Sequence, residues 1–225
     1  MTNNNFYKFF NEISPKLGVR EYSFTQIFNY LDKLPDPIII VETGCLRKKG
    51  NFFGDGQSTL LFDKYTQFRG NGSKVYTVDI DSEATKICSE VVSKNVSITT
   101  ADSIGYLNDF TNKFYDEKKE ISFFYLDSFD LDWKSPGRSC EHHLMELVSI
   151  KKVLKKETLV VVDDSPMKGY LQQSKIKQDA LSVIPFGIVP QPTIAGKGSL
   201  VHEYAMHIGA KVLFSNYQTG WVGFN

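Results

Sequence analysis

Cysteine is scarce, and neither sign of charge is in excess. Cys45, Cys88 and Cys140 are the three cysteines of a 225-residue chain, and no two form a CxxC pair. That argues against a thiolate zinc site and against a small disulfide-stapled fold. It suits a reducing, cytoplasmic setting. Lys plus Arg number 26 and Asp plus Glu number 26, so the formal net charge is zero. Proteins that collect nucleic acid by bulk electrostatics carry a basic excess, so no nucleic-acid partner is expected. No apolar run approaches the roughly 20 residues of a membrane helix. The opening Met1-Thr-Asn-Asn-Asn-Phe-Tyr-Lys8 lacks the apolar stretch of a signal peptide. The expected protein is therefore soluble, with no membrane partner. Its length suffices for one core without metal or disulfide staples.

Present instead is an alternation. Short β-branched or apolar runs occur at Ile38–Val41, Val75–Val78, Val96–Thr99, Ile121–Leu126 and Thr158–Val162. Runs this short and this apolar read as strands buried on both faces, as in a parallel sheet. Helix-length stretches separate them at 57–69, 82–94, 103–115 and 141–156. This predicts a doubly wound, Rossmann-like α/β sheet. Near the end, 198–209 reads as a helix, Lys211–Phe214 as a strand and Tyr217–Phe224 as a turn with a last strand. Two strands so close cannot be joined by a parallel crossover, so the last should be antiparallel. Residues 1–34 show helical apolar spacing and read as an N-terminal extension, with 35–225 as the main domain. Phe6, Tyr7, Phe9 and Phe10 suit core packing, with a lid or a self-association surface as the alternative.

In an open α/β sheet, ligands bind beyond the carboxyl ends of the strands. The first strand ends Val41-Glu42-Thr43-Gly44-Cys45, and the chain reaches Gly54-Asp55-Gly56-Gln57-Ser58-Thr59 before the next helix. Glycines admit a ligand close to backbone, and a helix start offers free N–H groups. The spacing is neither G-x-G-x-x-G nor a Walker A loop. The acid, the glycine turn and the Gly-Ser/Thr pattern resemble the first motif of class I S-adenosylmethionine-dependent methyltransferases. The resemblance implies a seven-stranded sheet of order 3-2-1-4-5-7-6 with strand 7 antiparallel. It implies S-adenosylmethionine held by Glu42, Thr43, Gly44, Gly56 and Ser58. It further implies Asp79, at the end of strand two, on the ribose, and Asp102 with Ser103, after strand three, at the adenine. Asp81 reads as a helix cap, and Asp102 suits capping as well.

Strand four ends Leu126-Asp127-Ser-Phe-Asp130, and strand five ends Val162-Asp163-Asp164-Ser165-Pro166. Neighbouring strands would bring Asp127, Asp163 and Asp164 together. Three like charges so close need protons or a cation, and Mg²⁺ takes oxygen ligands of this kind. The pattern is similar to that of metal-dependent O-methyltransferases of the catechol and sugar-modifying types. That resemblance implies Mg²⁺ at the triad, Asp127 also beside the cofactor, and O-methylation of a small acceptor, a sugar among the candidates. A base would be Asp127, Asp130, His142 or His143. Adjacent histidines point about 100° apart on a helix, so at most one is expected to face the site; Glu146 could pair with one of them. A metal-independent methyltransferase and a non-catalytic cofactor-binding protein are the alternatives. The Arg47-Lys48-Lys49 run reads as a solvated loop or a cover for the substrate. The 187–198 stretch reads as a substrate-side loop from which Lys197 could reach a carboxylate or phosphate.

Overall fold

Alternate residues along the central strands divide between two cores. In the computed structural model, which describes residues 4–167 and 194–224, Ile40, Phe123, Tyr125, Leu159 and Val161 pack on one face of the sheet. Val41, Phe124, Leu126, Val160 and Val162 pack on the other. Both faces are covered, which is why these strands read as continuous apolar runs.

The strands are β1 (Ile39–Thr43), β2 (Lys74–Asp79), β3 (Val96–Thr100), β4 (Phe123–Leu126), β5 (Leu159–Val162), β6 (Lys211–Ser215) and β7 (Thr219–Val222). Their order is β3-β2-β1-β4-β5-β7-β6. β7 runs antiparallel to both β5 and β6, and the other pairings are parallel. This is the sheet expected from the sequence.

The helices among the described residues are α1 (Asn4–Ile13), α2 (Glu21–Leu31), α3 (Phe52–Asp55), α4 (Ser58–Arg69), α5 (Ser82–Val91), α6 (Ser103–Asp116), α7 (Gly137–Ile150) and α8 (Ser199–His207). Residues Ser14–Arg20 form a 3₁₀ connection between α1 and α2. α7 starts four residues earlier than its sequence pattern suggested, directly after Pro136, and ends six residues earlier, at Ile150. Asp81 and Asp102 cap α5 and α6 by accepting hydrogen bonds from Glu83 N (2.8 Å) and Gly105 N (2.8 Å).

The N-terminal helices share the sheet's first core. Phe6, Phe10, Phe24 and Phe28 are buried among Phe62, Tyr65 and Tyr125. Phe6 meets Phe28 and Tyr65 edge-on at 4.6 and 5.1 Å, a favoured aromatic geometry. That packing fixes the connection after α1 against the carboxyl end of the sheet. No helix among the described residues is long and apolar enough to cross a membrane. Of the 187–198 stretch, 187–193 lies outside the described residues.

Candidate active site

At the carboxyl ends of β1, β4 and β5 the backbone approaches closely enough to demand glycine. Gly44 has φ +78°, and a Cβ there would lie 2.5 Å from Asp127 O. Gly44 N donates to Val78 O at 2.8 Å, and Asp127 N donates to Thr43 O at 3.0 Å. The turn thus locks the tip of β1 between those of β2 and β4.

Glu42 is fully buried beneath this turn. It accepts hydrogen bonds from Ser58 Oγ (2.5 Å) and Thr59 Oγ1 (2.7 Å), tying β1 to the start of α4. Burial raises its pKa to about 7, against the pull of those hydroxyls. Glu42 and Ser58 therefore organise the loop from within. Gly56 (φ +67°) closes α3 and passes beside Arg20. Sequence reasoning missed Gln57. It is buried with φ +53° and ties down the 45–55 loop through Lys48 O (2.8 Å), Asp55 Oδ2 (2.9 Å) and Gly50 N (3.0 Å).

Asp79 is half-buried at the tip of β2. One oxygen accepts from Cys45 N (3.0 Å) and the other from Asp81 N (2.9 Å). Each carboxylate oxygen keeps a second acceptor position. Ile80, next in sequence, leaves 75 % of its surface exposed, an apolar face beside a polar acceptor. At the tip of β3, Ser103 Oγ pairs with His142 Nε2 (2.9 Å) and Ser128 Oγ (3.3 Å). Asp102 stays exposed at the helix cap.

Both histidines approach Glu146, where the sequence suggested a pairing with one of them. His142 Nε2 lies 3.5 Å and His143 Nε2 4.0 Å from its carboxylate. Fully buried Glu146 also accepts from Ser128 Oγ (2.6 Å) and Thr43 Oγ1 (3.2 Å). Burial opposes its charge, yet hydrogen bonding by His142 keeps its pKa below the ordinary value. Burial lowers His143 to about 4, so it is neutral. Neither ring lines the cavity described next; together with Glu146 they brace β1, β4 and α7.

That cavity, of about 440 Å³, lies at the tips of β4 and β5. A larger one, about 720 Å³, lies at the opposite end of the sheet around Leu34–Pro37 and Lys155. Ligands of such sheets sit at the carboxyl ends, which singles out the smaller cavity. Asp127, Asp163 and Asp164 line it, and their carboxylates offer oxygens within 4.8 Å of one another. The gathering expected from the sequence is therefore present. Two cations come with it. Arg20 reaches Asp163 with Nε at 3.1 Å from both oxygens and Nη2 at 2.9 Å, and its Nη2 is 3.4 Å from Asp164. Its guanidinium sits over the Tyr217 ring at 4.8 Å. Lys197, 1 % exposed, contacts Asp127 and lies 3.3 Å from Asp164 Oδ2. Tyr217 Oη donates to Asp164 Oδ1 at 2.5 Å, and Gln218 Nε2 to Asp163 Oδ1 at 2.9 Å.

The electrostatics follow from these partners. Burial works against Asp163's charge, but Arg20 outweighs it and holds the carboxyl at about 2. Burial disfavours the Lys197 ammonium too, yet Asp127, Asp164 and Asp163 together raise its pKa. Three carboxylates and two cations leave one negative charge. Asp127 opens to the cavity, and burial together with its acidic neighbours, opposed by Lys197, holds it well above the usual carboxylate range, so it is the member of the three that most readily keeps a proton. Oxygen donors of this kind suit Mg²⁺. However, the ammonium of Lys197 already stands between Asp127 and Asp164, and Arg20 and Gln218 engage both oxygens of Asp163. As arranged, the triad does not fit a divalent ion; the sequence reading that assigned Mg²⁺ to it did not anticipate Arg20 and had Lys197 only as a residue able to reach a carboxylate or phosphate. Asp130 stands at the mouth, exposed and paired with Arg47 at 2.9 Å.

Arg20 carried no local signal, since 143 residues separate it from Asp163. Lys197 carried one, its Gly-Lys-Gly setting.

The sheet order and this carboxyl-end site define a Rossmann-like fold of the methyltransferase type. The sequence matches no protein-family model and no curated protein. Among solved structures, the crystal structure of TrmN from Thermus thermophilus aligns with 93 % of this chain and 52 % of its own, with 11 % identity and a TM-score of 0.45. The chain thus spans about half the length of that protein. A likeness so distant carries no argument, and the fold assignment rests on strand order and direction.

Proposed function

We propose that the chain is an S-adenosylmethionine-dependent methyltransferase acting on a hydroxyl of a small polar molecule, with a sugar among the candidates. The observation that carries this reading is a juxtaposition. The glycine turn of β1 abuts Asp127, which lines a charged cavity at the tips of β4 and β5, and the acid of β2 holds Cys45 of that turn, in a sheet of order 3-2-1-4-5-7-6. The residues suit the donor. Asp79 has acceptor capacity left for two ribose hydroxyls, and Ile80 offers an exposed apolar surface to a planar base. Asp102 and Ser103 stand at the next strand tip.

When bound, S-adenosylmethionine supplies an electrophilic methyl group on a sulfonium. Asp127 lines the cavity and holds a proton more readily than an ordinary carboxyl, so it is the group through which the acceptor proton would pass. An acceptor hydroxyl placed beside that methyl group would need a proton acceptor within reach, which the cavity-lining carboxyl of Asp127 would supply. Arg20 keeps Asp163 ionised, and Lys197 and Tyr217 fix Asp164 in place. Much of the acceleration comes from holding the two reactants in line. Asp130 and Arg47 frame the entrance.

Calorimetry with S-adenosylmethionine, S-adenosylhomocysteine and NAD tests the reading. Both sulfur nucleosides should bind, and Asp79→Ala should weaken them by about tenfold or more, as expected for losing hydrogen bonds to a charged group. Binding of NAD alone would refute the assignment, and donor binding without methyl transfer to any hydroxyl acceptor would mark a non-catalytic binding protein. Magnesium dependence is the competing reading. The three clustered carboxylates favour it and the two resident cations oppose it. Turnover in EDTA separates the two.

A further inference from the structure

The Gly196-Lys197-Gly198 turn packs so closely on the segment after β5 that neither glycine has room for a side chain. Gly196 has φ +67°, and a Cβ on it would lie 2.0 Å from Asp164 O. A Cβ on Gly198 would lie 2.5 Å from Ser165 Oγ and 3.1 Å from the Trp221 ring. Lys197 N donates to Asp164 O at 3.1 Å, and Gly198 N to Ser165 Oγ at 2.7 Å. Lys197 and Gly198 are therefore fastened to the strand-five acid segment itself, and Gly196 packs against it. The lysine side chain runs from this anchored turn into the triad. A long cationic side chain ordinarily keeps its head in water; this one is buried to the tip.

We propose that Lys197 is a built-in replacement for a divalent cation: its ammonium neutralises Asp127 and Asp164 from within, so the site holds its carboxylates together and binds no metal. With Lys197 and Arg20 in place the cluster has a net charge of −1, and an added divalent ion would have to displace the ammonium. Without Lys197 the cluster has a net charge of −2 and a vacated position bounded by oxygen donors, which is what a hard divalent cation requires. The role is one of positioning. Lys197 fixes the direction in which Asp127 faces the cavity, whatever ligand the cavity takes.

The test uses Mn²⁺, followed by loss of the free-ion paramagnetic resonance signal, and does not depend on methyl transfer. The wild-type chain should show no saturable binding at millimolar Mn²⁺. Lys197→Ala and the polar variant Lys197→Gln should bind one ion per chain, roughly tenfold or more tighter than the wild type. Adding Asp164→Asn should abolish that binding. Lys197→Arg should behave as the wild type. If a lysine variant folds only with Mn²⁺ present, seen as a melting transition restored by the ion, the proposal is supported. It is overturned if the wild type binds Mn²⁺ as tightly as Lys197→Ala and loses it with Asp164→Asn. It is overturned equally if the lysine variants bind none, or stay unfolded with and without the ion. Failure to bind S-adenosylmethionine would sink the methyltransferase reading and leave this result standing.

Discussion

Replacing Arg20 by Met keeps the length of the side chain and deletes its charge. Arg20 is 7 % exposed and Asp163 is 2 % exposed, so the variant strands a carboxylate that bulk water barely reaches. Breaking a buried pair by removing one partner costs about 3–5 kcal/mol, a large share of the roughly 5–15 kcal/mol by which domains are stable. The pH dependence gives an independent handle. Asp163 is held at about 2, against an ordinary 3.8. A depressed carboxyl contributes its stabilisation in full above the unfolded value and loses it as pH falls through the folded one. The difference corresponds to roughly 2.5 kcal/mol, of the same order as the mutational cost. In Arg20→Met the stranded carboxylate is relieved by protonation. The deficit relative to wild type should therefore be largest near neutrality and shrink as pH falls towards the unfolded carboxyl value. Urea unfolding followed by the fluorescence of buried Trp221, at neutral and acidic pH, measures both effects. Adding Asp163→Asn should restore part of the loss. A deficit below about 1 kcal/mol, the size of a surface ion pair, or one that does not change with pH, would refute the account.

Three further outcomes are expected. Glu42 has a pKa of about 7 in the fold against 4.5 when free, so native Glu42 stays protonated where the unfolded chain has lost its proton. Stability should fall between about pH 4.5 and 7 in the wild type and fall less in Glu42→Gln, as read by thermal melts across that range. Gly196→Ala forces a left-handed backbone on a residue whose Cβ meets Asp164 O; a loss of about 2 kcal/mol or more in urea unfolding is expected. Asp102→Ala removes the α6 cap and should cost about 1 kcal/mol, with a clearly smaller effect on donor affinity in the same calorimetry than Asp79→Ala.

What could be read from the chain was whatever local patterning dictates. Apolar runs placed β1, β4 and β5, which are buried on both faces, and β-branched residues placed β2 and the edge strand β3. The shortness of the 211–224 segment gave the antiparallel β7. The Asp-Asp pair after β5 and the acid after β4 were legible as a cluster because parallel neighbours end at the same level. Its neutralisation was hidden. Arg20 reaches Asp163 from a 3₁₀ connection within an aromatic-patterned extension, and nothing in its neighbours marks it. Lys197 was noticed only as a residue able to reach a carboxylate; that two glycines press it into the triad is a matter of backbone clearance. The histidine pair misled for a related reason. Angular spacing separates His142 from His143, but Glu146, one turn on, lies between their directions, 3.5 Å from His142 Nε2 and 4.0 Å from His143 Nε2.

The pairing of Arg20 with Asp163 bears on synthesis as well as stability. Its two halves emerge from the ribosome 143 residues apart, which at about 5–20 residues per second is roughly 7–30 s of translation. Throughout that interval the guanidinium has no native carboxylate to meet, and Lys197 and Tyr217 arrive later still. The nascent chain can assemble its early strands, but the charged cluster is completed only after Tyr217 has emerged, so a product that stops before it would carry the early strands without the full set of carboxylates and cations.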